Sequence, residues 1–172
     1  FLVDLRVLSD STYLDPALDV FTDIVANPSF PDASFKRIFD GAQIGQQQKK
    51  QSPSAQAGIL FYQQLYGNHP YAHPSSGTAD SLKKIKTDDL KSFHQQYFVA
   101  QNATITMIGD ITDERAKAIA EKITSQLPQG QAAPQQVAVP PLIKAVHKHI
   151  SFPSQQTHIM MGQASMRRDD KD

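Results

Sequence analysis

Cysteine is absent from the 172 residues, and glutamate nearly so. Without thiols, disulfides and thiolate zinc sites are excluded. A cysteine-free chain suits the cytosol and the periplasm equally, so the redox compartment stays open. Of seventeen acidic residues only Glu114 and Glu121 are glutamates, and both fall in one late helical stretch. The first 113 residues carry Asp but no Glu. No apolar run reaches the length needed to span a bilayer. Charge of either sign is not in excess, since seventeen Lys and Arg balance the acids. The pairs Lys49-Lys50 and Lys83-Lys84 read as solvated helix faces, and nothing resembles the clustered basic face that nucleic acid requires.

What is present suits a soluble globular chain, with 40% hydrophobic and 20% charged residues and enough apolar material for a core. The length fits one domain, or one domain plus part of another. Residues 1–8 alternate, with Phe1, Val3, Leu5 and Val7 on one face and Asp4 and Arg6 on the other, which predicts a half-buried strand. Asp15-Pro16 predicts a helix start, with Leu18, Phe21, Ile24 and Val25 as its apolar stripe and Asn27-Pro28 as its end. Pro31-Asp32 opens a second helix that carries two interior glycines, Gly41 and Gly45, each costing about 1 kcal/mol relative to Ala. Ser52-Pro53 caps a third helix.

The stretch from Tyr66 to Pro74 is too rich in Pro and Gly for a helix. Thr87 caps a fourth helix, with Asp88 and Asp89 where the helix dipole favours them. Residues 103–108 predict a strand ended by Gly109-Asp110. Thr112 caps a fifth helix, closed by Leu127-Pro128. Pro, Gln and Ala dominate the next stretch, a linker, and residues 145–150 and 157–162 predict further strands. Helices clustered between strands give an α+β class with a mostly antiparallel sheet. The opening reads as mid-strand and the end is a charged stretch, so the chain is expected to be part of a longer protein.

One ordered succession of short motifs is more specific than any of its pieces. It runs Tyr66-Gly67-Asn68-His69-Pro70-Tyr71, Gly77-Thr78, Ser81-Leu82, Ile85, Thr87-Asp88-Asp89-Leu90, Phe93-His94 and Tyr97. It continues through Asn102-Ala103-Thr104, Ile108-Gly109-Asp110-Ile111 and Leu127-Pro128-Gln129-Gly130. Over residues 59–130 this resembles the pitrilysin/insulinase family of zinc metallopeptidases, which includes the mitochondrial processing peptidases. Pro28-Ser29-Phe30 and residues 155–163 add weaker similarity, the latter to the opening strand of the family's second half.

The resemblance implies two homologous halves, each an antiparallel sheet covered by helices, enclosing a chamber for extended peptides. Residues 1–127 would be the C-terminal part of the first half, 128–143 a Pro/Gln-rich linker, and 144–172 the start of the second half with its first strands. In the family an H-x-x-E-H helix supplies two His ligands and the catalytic base, and a Glu on a later helix is the third ligand. The motif is absent from these residues and would precede Phe1. Counted back from Tyr66, the third ligand falls near Gly45, where the sequence reads Ala42-Gln43-Ile44-Gly45-Gln46-Gln47-Gln48. Asp40 is the nearest acid, more than a turn away with a shorter side chain. Gln is a neutral and poor zinc ligand.

No residue of this chain is therefore assigned a catalytic, cofactor or metal role. The resemblance favours a non-catalytic subunit that completes a peptide chamber with a zinc-bearing partner, in a bacterial periplasm or envelope. Two alternatives stay open. One is an active zinc endopeptidase with its H-x-x-E-H upstream. The other is a scaffold module of the same fold.

Other residues carry less. Pro70 and Pro74 forbid the helix that would pair His69 with His73 on a metal. His147 and His149 share a strand face without a carboxylate nearby in sequence. Gly109-Asp110 is explained by a strand-ending turn. Ser165 lacks a nucleophile-elbow context. The Gln46–Gln48 run either lines a chamber or forms a solvated helix face.

Overall fold

The structure, a computed structural model, describes residues 1–166. Its α-helices are α1 (Ser11–Ala26), α2 (Asp32–Lys50), α3 (Pro53–Tyr66), α4 (Ala79–Leu82), α5 (Thr87–Tyr97) and α6 (Asp113–Ser125). Single 3-10 turns lie at Pro70–Ala72 and Ala100–Asn102. Two compact units emerge. One contains Phe1–Asp32 and Lys86–Pro134, the other Ala33–Ile85 and the chain from Gln135 onward.

In the first unit α1 begins a turn before Asp15. Asp10 is the N-cap, its carboxylate accepting the Thr12 N–H at 2.8 Å. An Asp cap fills an otherwise orphaned donor of the first turn. Pro16 consequently sits inside the helix and forfeits the hydrogen bond its N–H would have made to Thr12. The other end agrees with the sequence, with Asn27 as C-cap donating to the Asp23 carbonyl at 2.7 Å. At α6 the Thr112 hydroxyl accepts the Arg115 N–H at 3.3 Å.

The core of this unit forms where α1 meets α6. Leu18, Ile119 and Ile123 are buried, with Leu14, Phe21, Met107 and Ile111 packed around them. Burying each such side chain contributes about 1.5–3 kcal/mol. Arg115 pairs with Asp15, and Lys122 with Asp19, along the edge of this seam. Both pairs are solvent-accessible, so each adds little stability. Segment 128–133 closes against the turn after α5. Ala100 N–H donates to Pro128 O at 2.8 Å, and Ala133 N–H donates to Asn102 Oδ1 at 2.7 Å. Gly130 is required there, because its φ is +61° and a Cβ would collide with the Val99 side chain.

In the second unit α2 and α3 are joined by Ser52, whose hydroxyl accepts the Ala55 N–H at 3.3 Å, followed by Pro53 at the first helical position. Segment 158–162 runs alongside α3. Gly162 lies so close to Phe61 that an added Cβ would stand 2.9 Å from its ring, and Met160 approaches Gly58.

The expected α+β class, an antiparallel sheet covered by helices with the first strands of a second half, is overturned. Among the described residues there is helix and no strand. Residues 1–8, 103–108, 145–150 and 157–162 carry no ladder hydrogen bonds. Alternation records which side chains share a face, but a strand exists only when another backbone supplies the opposite donors and acceptors. Several apolar residues of these segments therefore stand in solvent, with Ile108 96% and Met161 92% exposed, whereas Met107 packs against the core of the first unit.

Two tests concern α1. Thr22 is buried and its hydroxyl has no hydrogen-bond partner, an arrangement that costs about 1–3 kcal/mol. Thr22→Val keeps the shape and should raise stability by about 1 kcal/mol in urea denaturation; a loss would show the hydroxyl to be bonded. The Thr12 hydroxyl and then the Thr12 N–H bond the Asp10 carboxylate and hold its pKa below the ordinary 3.8, outweighing desolvation. A depressed carboxyl pKa means that the cap is intact at neutral pH and is lost as pH falls through the folded value. The Thr12 amide resonance should titrate with a midpoint below 3.8, and a midpoint above it would contradict the cap.

Candidate functional site

The turn of α2 around Gly45 is where the family resemblance places a metal-ligating Glu, and it faces the loop before α4. That loop is built locally. Gly77 has φ +69°, and a Cβ on it would stand 2.8 Å from Ser81 Oγ, so Gly is strongly favoured there. Thr78 and Ser81 then cap α4 reciprocally. Ser81 N–H donates to Thr78 Oγ1 at 3.1 Å, and Thr78 N–H donates to Ser81 Oγ at 2.8 Å. A Thr three residues before a Ser, just after Gly, is the sequence signal for this short helix, and propensity alone does not reveal it.

The box leaves the carbonyls of Ser76 and Gly77 facing α2. Gln46 Nε2 donates to both, at 3.0 and 3.1 Å. An amide nitrogen has two protons, and both are used. Lys49, one turn on, donates to the Ser76 hydroxyl. Lys49's own carbonyl accepts from Gln56 Nε2 at 2.9 Å, tying the end of α2 to α3. Asp40 is held in a 2.6 Å ion pair with Lys36 on the exposed side of α2. Gly45 faces open space, with nothing within 4 Å of an added Cβ.

This donor set does not fit zinc. The metal takes thiolate, imidazole or carboxylate ligands, and the chain has no cysteine. The turn offers a glycine, a glutamine amide whose protons are committed, and an aspartate paired with lysine. Among the described residues no three His, Asp or Glu side chains come together.

The histidines separate by role. His69 is 4% exposed. Its Nδ1 accepts the Tyr71 N–H at 3.1 Å, so its Nε2 carries the proton and donates to Val137 O at 3.0 Å. Around it lie the Tyr66 and Tyr71 rings, at 6.2 and 4.7 Å between centroids. His73 is exposed beyond the intervening 3-10 turn, as are His147 and His149, so neither pair forms a site. Ser165 is exposed, and Gly109-Asp110 lies in a bend before α6.

A contact that spacing did not reveal is made by His94. Its Nε2 donates to Val25 O at 2.8 Å, capping the last turn of α1 from α5. Phe98 stacks on its ring at 4.7 Å, and Phe30 meets it edge-on at 5.9 Å. The signal is Phe93-His94 together with Pro28-Ser29-Phe30, distant in sequence and joined only by the fold.

Residues 84–172 match the family model described as the peptidase M16 inactive domain. The chain belongs to the peptidase M16 family. It is 36% identical to a peptidase M16 inactive domain from Pseudomonas fluorescens, with a TM-score of 0.75 over 77% of this chain and 32% of that one. A "non-peptidase homolog YmxG" from Helicobacter pylori is 26% identical over 70% of this chain and 28% of its own length. An "uncharacterized zinc protease" from Rickettsia felis is 24% identical over 73% of this chain and 30% of its length. The chain thus spans less than a third of these curated relatives.

If the middle of α2 is free of any ligand duty, helix propensity alone governs Gly45. Gly45→Ala should stabilise the protein by about 0.5–1 kcal/mol in chemical denaturation; destabilisation would reveal an unseen close contact at this turn.

Proposed function

We propose that the intact protein is a non-catalytic member of the M16 family that pairs with a zinc-bearing subunit of the same family. Together they would enclose a chamber for extended peptides, this chain supplying wall and substrate contacts rather than a metal. In this reading it binds no cofactor of its own. The observation that carries the reading is the occupied turn of α2, with Gln46 committed to two loop carbonyls and Asp40 to Lys36. A hydrolytic zinc needs three protein ligands and an open position for water, and this turn contributes none. The inactive description of the matched domain supports it, as does the non-peptidase relative. The bacterial relatives support a bacterial setting, and a periplasmic or envelope location belongs to the same proposal. The two-half organisation, with 128–143 as the connection, does too.

A second reading has its own support. Relatives named zinc proteases align with this chain over a minority of their length, so catalysis would reside in a domain outside residues 1–172.

The full-length protein decides between them. Purified alone, it should contain far less than one zinc per chain by elemental analysis and should leave quenched-fluorescence peptides uncut. Mixed with a zinc-bearing family member from the same organism, it should raise that protein's turnover. One zinc per chain with hydrolysis by the protein alone would establish the second reading.

A further inference from the structure

The buried His69 serves no step of the reading above, and its environment has the chemistry of a peptide seat. Its tautomer is fixed by the Tyr71 N–H on Nδ1, which leaves Nε2–H as a directed donor. That donor is met by the carbonyl of Val137, sixty-eight residues away. Residues 135–141 read Gln-Gln-Val-Ala-Val-Pro-Pro, and Pro134 precedes them. The segment has no backbone hydrogen bonds of its own and carries no regular structure. On the receiving side, Tyr62 and Tyr66 are stacked with an interplanar angle of 5°, and Tyr71 meets Tyr66 edge-on at 5.6 Å. Tyr62 and Tyr71 remain 49% and 55% exposed.

Tyrosine faces flanking a single N–H donor are what a proline-rich extended peptide needs. Such a peptide is already stiff, so it loses little entropy on docking. It leaves its carbonyls free, and its rings lie well on aromatic surfaces. We propose that the Tyr62–Tyr66–Tyr71 face around His69 is a recognition site for a proline-rich extended peptide, occupied in cis by residues 135–141 of this chain. The site fastens the Pro/Gln-rich stretch to the α3 loop, and its specificity lies in the prolines and the His69 donor. It is separate from the α2 turn, so it stands or falls independently of the non-catalytic reading.

The test uses the full chain in which residues 135–141 are replaced by Gly and Ser at equal length. It is titrated with a synthetic peptide of the native sequence 134–142 and followed at the Tyr71 amide and the His69 Nε2–H by NMR. Saturable shifts at both positions are expected, with at least a tenfold loss of affinity when the peptide prolines become glycine. His69→Ala on the same background should abolish the response. A peptide that does not shift Tyr71, or that binds equally well without its prolines, overturns the proposal. A second measurement leaves the segment in place. In the unaltered chain, Pro140→Gly with Pro141→Gly should speed solvent exchange of the His69 Nε2–H at least tenfold, and an unchanged rate refutes the site.

Discussion

Two protons on one amide nitrogen shape the functional account. Gln46 Nε2 spends both on the carbonyls of Ser76 and Gly77, and with Lys49 it fastens the middle of α2 to the loop before α4. A carboxylate at that position would have no proton to give and would set negative charge against two carbonyl oxygens. In this sequence the turn is a fastener between α2 and the loop before α4.

The fastener needs a fixed partner, and local chemistry provides it. Gly77 turns the chain at a positive φ that favours glycine, and the Thr78–Ser81 box holds the turn. The same economy recurs elsewhere. Gly130 admits segment 128–133 against Val99, and His94 reaches from α5 to finish the last turn of α1. Each is a polar or conformational detail that positions helices whose apolar burial is modest. The seam of Leu18, Ile119 and Ile123 is the one cluster of buried apolar side chains in the first unit.

Helix caps were the most legible part of the sequence. Ser52-Pro53 and Thr112 start their helices as their chemistry dictates, because a cap acts over three residues, but Thr87 is the first residue of α5 rather than its cap: Lys86 is the N-cap, its N–H donating to Asp89 Oδ2 at 2.7 Å. Asp15-Pro16 misled because a better cap, Asp10, lay one turn earlier and the helix absorbed the proline. The sheet was misread for a different reason. Alternation at 1–8 and 103–108 is a statement about faces, whereas a ladder depends on a partner backbone that local pattern does not specify. At the site, the missing carboxylate near Gly45 was readable. The use of Gln46 was not, since its partners lie some thirty residues away. The burial of His69 on Val137 is likewise a long-range fact.

Anomalous diffraction at the zinc edge, from crystals of the full-length protein grown with zinc, addresses the metal question at the level of single atoms. The account predicts no peak beside the middle turn of α2, with Gln46 still bonded to Ser76 and Gly77. A peak at ligating distance, about 2.0–2.2 Å, from an oxygen of Asp40 or of the Gln43–Gln47 turn would contradict it.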